Sequence, residues 1–421
     1  MLQMNVLELT KKLGNNMRAI CLYLHIHQPI RYRKYSAFDI GNNDDYWHDD
    51  FSSKQNNERI FKKVAEKSYR PTLAAIEKNL AKHEGFRISF SITGTWLEQA
   101  EKWCPDLINS LRRIIATGRA EIVGETYYHS LAFFYNREEF EAQVLLHEQK
   151  IIDIFGIKPT AFRNTELSYN DDLAEWADKK GYKAILAEGW DRILEWRSPN
   201  YVYTPKNCKK LRLLMKNYRL SDDIAFRFSD RHWKEWPLTV DKYITWINDS
   251  CLNGNLINLF MDFETFGEHQ WKDTGIFDFM DSFIESWLQI RDNCFVTITE
   301  AANLMKPVGE ISMPETVTWA DTERDLSAWL GNDMQKSAMR ELYSLRDTIY
   351  ATHNTKLIND FRRFTTSDHP YYMCTKYWND GDVHAYFSAY DSPYEAFMYF
   401  ENCLRDLSYR AELLQNRRLP Q

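Results

Sequence analysis

LYLHIHQPIR, residues 22–31, closes an apolar run that begins near Ala19 and reads as a β-strand over 19–27. Strand side chains alternate between faces. Leu22, Leu24 and Ile26 therefore share one face, suited to covering helices. Tyr23, His25 and His27 share the other, which in a barrel points inward. Functional sites of βα barrels and open α/β sheets lie at the C-terminal ends of the strands. Two histidines two residues apart at such an end pose a choice between a metal site, a substrate contact and plain structural support.

The segments that follow keep the rhythm of alternating strands and helices. A helix is expected over 69–85, a strand over 87–94, a helix over 105–118 ending at Gly118, and a strand over 120–128. Asn136 with Glu139 reads as an N-cap and its partner, opening a helix to Gly156. A strand at 159–166 precedes a helix capped by Asn170 and ended by Gly181, then a strand at 182–189. Strands at 256–264 and 294–301 flank a helix over 274–291. Seven strands with helices between most of them imply a parallel sheet, open or closed into a barrel. Residues 190–255, which hold several aromatic and basic residues, read as a large excursion. From 321 the pattern turns helical, over 332–351, 354–364 and 391–417, the last opened by Ser392-Pro393. Two domains are expected, 1–320 and 321–421, the second contributing to the active-site cleft.

Composition narrows the class. The 421 residues are 44% hydrophobic and 27% charged, which suits a globular chain with a large core. A net charge of -7 argues against nucleic acid as a partner, since phosphate binding wants a basic surface. Aromatics reach 15%, enough for a large aromatic core and for rings that stack on a sugar. Seven scattered cysteines without a CxxC fit reduced thiols in the cytoplasm. No signal-peptide pattern opens the sequence, and no apolar run approaches the roughly 20 residues that span a bilayer.

Polar residues phased inward at several strand ends are costly as core packing, because buried carboxylates need partners. Three readings follow. His25 and His27, with His129 and His269 as further ligands, would suit a zinc-type hydrolase. Glu166 and Asp262, each at a strand end on the face of Phe162 and Asn164 or of Phe260, would suit a glycosidase, whose chemistry needs two carboxyl groups flanking one bond. The aromatic load alone would suit a carbohydrate-binding protein without catalysis.

HIHQPIR at 25–31, GETYYHS at 124–130, FRNTELSY at 162–169, FMDFETFGEHQW at 260–271 and TWADTERDLSAWLGN at 318–332 resemble, in order, the five signature regions of glycoside hydrolase family 57. DGDVHAYFSAYDSPYEAF at 380–397 is similar to a segment of its α-amylase-like members. The resemblance implies an incomplete (β/α)7 barrel followed by a C-terminal helical bundle. It implies a retaining mechanism on α-1,4-glucans such as starch, glycogen and maltodextrins, without a metal or other cofactor. Glu166 matches the family's nucleophile and Asp262 its general acid/base. His27, Glu125, Glu264 and Asp321 match polar motif positions that contact sugar, His25 is left as structural support, and Trp271, Trp319 and Trp190 are candidate stacking rings. Hydrolysis is favoured. Transfer by a 4-α-glucanotransferase and debranching at α-1,6 bonds stay open, as does oligomeric state.

Overall fold

A computed structural model describes residues 17–376 and 388–416. The chain divides into two compact units. The first comprises 1–27, 62–125 and 147–319, and the second 28–61, 126–146 and 320–421. The second unit thus draws in two stretches, 28–61 and 126–146, that the sequence assigned to the barrel. Residues 380–387 of the α-amylase-like segment lie outside the described residues.

Among the described residues, the first unit is built on ten strands: β1 Arg18–Ile26, β2 Ile88–Ile92, β3 Ala120–Val123, β4 Ala161–Phe162, β5 Ala184–Glu188, β6 Val202–Pro205, β7 Arg212–Lys216, β8 Leu256–Asp262, β9 Asn293–Phe295 and β10 Glu310–Ile311. One sheet runs β3-β2-β1-β8 and the other β10-β6-β7-β5-β4. Two links join them. Gly124 beyond β3 bridges Phe162 of β4. Beyond β7, the Asn217 N–H donates to the Asn258 carbonyl of β8 at 2.9 Å. The result is a ring of seven strands, β1-β2-β3-β4-β5-β7-β8, parallel at every paired step. This is the expected (β/α)7 class.

One member of the ring differs from the expectation. The seventh strand is not 294–301. β9 is three residues long and pairs only with the start of β1, at Arg18, Ala19 and Ile20. Thr297 and Glu300 then form a reciprocal capping box that opens the helix Ile298–Leu304 and stops the strand. The ring strand is β7, inside the 190–255 excursion, with β6 returning antiparallel beside it.

Strand parity sorts the core. Ala19, Cys21, Tyr23, Val123, Leu186, Leu214 and Phe260 fill the ring interior. Tyr23 and Phe260 meet edge to face at 5.4 Å. Burying each such ring contributes about 1.5–3 kcal/mol. Leu22 and Leu259 point the other way, onto Phe279, Met280 and Phe283 of the helix Ile276–Gln289.

The second unit has an aromatic core. Its helices include Asp333–Ser344, Thr355–Phe364 and Pro393–Asn416. Into these pack Tyr32, Tyr35, Tyr46 and Trp47. Tyr32 stacks on Tyr390 at 4.7 Å, and Trp47 packs on Phe364 at 4.5 Å. The buried Asp406 carboxylate accepts from Tyr46 OH and the Gly41 N–H, both at 2.6 Å. Among the described residues, no helix is long and apolar enough to cross a membrane.

Candidate active site

The inward side chain at the end of β1 is His25. Its register neighbours are Ser91 on β2 and Asp262 on β8. His25 Nδ1 hydrogen bonds Ser91 Oγ at 2.7 Å and stands 3.9 Å from Glu125 Oε1, just beyond β3. The other Glu125 oxygen is 3.7 Å from Arg163 Nη1, and both of those residues are fully buried. Burial pushes the Glu125 carboxyl up to about 8. The Arg163 charge opposes that rise and the Glu166 carboxylate adds to it.

Glu166 reaches this cluster by a route that strand parity did not predict. Alternation predicts Phe162, Asn164 and Glu166 on one inward face. β4 stops at Phe162, whose ring packs against Trp176 and Tyr182 at 5.0 and 5.2 Å, while Ala161 sits in the ring core. Alternation then gives the next inward place to Arg163. Glu166 is turned in by the backbone itself, with φ of 57° at Glu166 and 53° at Leu167. Left-handed conformations of non-glycine residues cost on the order of 1–3 kcal/mol each, and they concentrate at functional sites. Trp319 holds the turned residue at two points. Its indole Nε1–H donates to Glu166 Oε2 at 3.1 Å, and its backbone N–H donates to the Glu166 carbonyl at 3.3 Å.

Asp262 ends β8 and is half-buried. Glu264 follows it in the turn Phe263–Thr265 and accepts from Tyr69 OH at 2.7 Å. Burial lifts the Glu264 carboxyl well above the usual carboxylate range, and the Asp262 charge adds to the lift. The same loop carries His269, whose pKa burial lowers against the pull of Asp262. His27 Nδ1 hydrogen bonds Thr93 Oγ1 at 3.0 Å.

Trp271 is 55% exposed, with Lys67 Nζ 5.5 Å from its ring. Trp190 lies beneath the Arg192 guanidinium at 5.5 Å. Asp321 belongs to the second unit, where it pairs with Lys376 Nζ at 3.4 Å; burial raises its carboxyl against that charge. His129 is also in the second unit, 2.9 Å from Ser367 Oγ. The first unit thus gathers His27, Glu125, Glu166, Asp262, Glu264 and Trp319 onto the strand ends and the loops that follow them.

Three buried charges at these strand ends were missed in the sequence: Arg163, Glu188 and Lys216. Glu188 was within reach, because Ala184, Leu186 and Glu188 alternate along one face of a recognised strand. Lys216 was hidden by the reading of 190–255 as an excursion. The arrangement offers carboxyl groups on different strands in unlike surroundings. Acid and base roles divide by environment in this way.

A family model described as Glycosyl hydrolase family 57 matches residues 21–314. A Methanocaldococcus jannaschii protein bearing the name "Putative alpha-amylase" is 39% identical over 401 residues, 93% of this chain and 84% of that protein. Among solved structures, a GH57 branching enzyme from Thermococcus kodakaraensis superposes with a TM-score of 0.67 at 14% identity, over 88% of this chain and 87% of that one. The α-amylase AmyC from Thermotoga maritima gives 0.62 at 13%, over 95% and 93%. The 4-α-glucanotransferase from Thermococcus litoralis gives 0.63 at 15%, over 84% of this chain but only 56% of that enzyme. At these identities the structural likeness is one of fold.

Proposed function

The chain belongs to glycosyl hydrolase family 57, and on that premise we propose that it cleaves α-1,4-glucans with retention of anomeric configuration. The Glu166 carboxylate attacks the anomeric carbon while Asp262 protonates the departing glycosidic oxygen. The C–O bond breaks and a β-glycosyl ester forms on Glu166. Asp262, now a carboxylate, takes a proton from water as the water displaces the ester and releases the α product. Glu125, Glu264 and His27 bind the sugar, and Trp271 and Trp319 stack on it. The unpaired thiols favour a cytoplasmic location. The observation that carries this reading is the left-handed turn at Glu166, which the Trp319 indole N–H holds beside the cluster at the strand ends.

Incubation with maltoheptaose followed by chromatography tests the reading. Only shorter sugars are expected. A ladder extending above the starting length would instead assign 4-α-glucanotransfer, in which a sugar hydroxyl takes the place of water on the same ester. Glu166→Gln is expected to abolish both outcomes while the fold survives, and full activity in that variant would refute the nucleophile. Activity is expected to withstand exhaustive chelation; a loss restored by zinc would favour the metal reading. In a sugar-bound crystal structure, the two carboxyl groups are expected about 5–5.5 Å apart.

A further inference from the structure

We propose that Lys216, anchored by Glu188, is a positioning residue for the nucleophile and acts through the indole of Trp319. The proposal rests on the reading of Glu166 as nucleophile.

Glu188 and Lys216 are register neighbours at the ends of β5 and β7. Both point into the ring, and both are buried, at 0% and 5% exposure. Their charges stand 3.8 Å apart, and Lys216 Nζ also donates to Asp222 Oδ1 at 3.1 Å. The strand ends are pressed together here. A Cβ added at Gly189 would lie 2.2 Å from the Lys216 carbonyl oxygen. The ammonium then sits 5.6 Å from the centroid of the Trp319 ring, and the Arg163 guanidinium sits 5.0 Å from the same centroid. Cations within about 6 Å of an indole centroid attract it, and more strongly where water is excluded. The His25 ring meets the indole edge-on at 6.3 Å. So held, the indole directs its N–H at Glu166 Oε2.

Packing alone does not account for these charges. A buried ion pair can often be replaced by apolar residues of similar volume at no loss of stability. A glycosidase nucleophile, however, must be an oriented carboxylate. Arg163 and Lys216 set positive charge around the indole that holds it. Glu188 and Asp222 hold the Lys216 ammonium in place.

The test uses the full chain on maltoheptaose across about pH 4 to 8. Lys216→Met is expected to lower kcat between about tenfold and a hundredfold, as for a misplaced reacting group, with KM changed less than about twofold. The acidic limb of the kcat/KM profile should move to higher pH, and Lys216→Arg should restore most of the rate. Because Lys216→Met leaves Glu188 buried without its partner, the pair Glu188→Gln with Lys216→Met serves as the second variant. It should fold and show the same displaced limb. An unmoved limb, with kcat tracking only the folded fraction in both variants, would overturn the proposal. Mass-detected labelling of the wild type by a 5-fluoroglycosyl fluoride separates the two levels. A label on Glu166 with an unmoved limb removes only the role of Lys216. A label on another residue removes the reading of Glu166 and this proposal with it.

Discussion

Glu125 shows how far one residue type can be moved by its surroundings. Its carboxyl is fully buried near His25 and Arg163, and burial pushes it up to about 8 from an ordinary 4.5. Below about 4.5 the folded and unfolded chains both hold the proton. Between about 4.5 and about 8 the folded chain keeps a proton that the unfolded chain has released, so this group subtracts stability as pH rises through that window. Glu125→Gln should therefore raise the thermal midpoint more at pH 7.5 than at pH 4.5. A gain that is equal at both pH values would refute the shift. At this scale the sequence marked Glu125, Glu166, Asp262 and Glu264 by type and motif. It could not show which would be forced neutral, because desolvation is set by neighbours that arrive from other strands.

The elements were largely legible, and the misses share a cause. Asn170 accepts from the Leu173 N–H at the start of its helix, and Gly181 ends that helix with φ of 88°, as local capping chemistry predicts. β4 was misphased because only two residues of 159–166 pair as strand before the chain turns at Glu166. β7 was overlooked because a five-residue strand, Arg212–Lys216, carries little periodic signal amid basic neighbours. The run 294–301 looked like strand because Val, Thr and Ile suit strands, but Thr297 and Glu300 convert its second half into a helix start. Thr297→Ala removes one half of that capping box and should cost about 1 kcal/mol in chemical denaturation. A change below about 0.3 kcal/mol would mean the cap contributes nothing.

At the scale of the whole molecule, a cut at residue 320 does not separate two independent domains. Tyr32, Tyr46 and Trp47 take Tyr390, Asp406 and Phe364 as partners within the second unit. A truncated chain of residues 1–320 should leave these rings exposed, and so be insoluble or rapidly cleaved within 28–61 by trypsin. Native-like protection of that stretch in the truncated chain would contradict the division into units.

The alternation of strands and helices, the caps that bound many of the helices, and the family were all legible along the chain, because these are local patterns or ordered motifs. Which strand completes the ring, how Glu166 turns inward, and the gathering of Arg163, Lys216 and Glu188 around the Trp319 that holds it emerge only once the chain is folded. Those outcomes depend on pairing between segments far apart in the chain and on the field inside a closed ring of strands, and neither is written in any single stretch of residues.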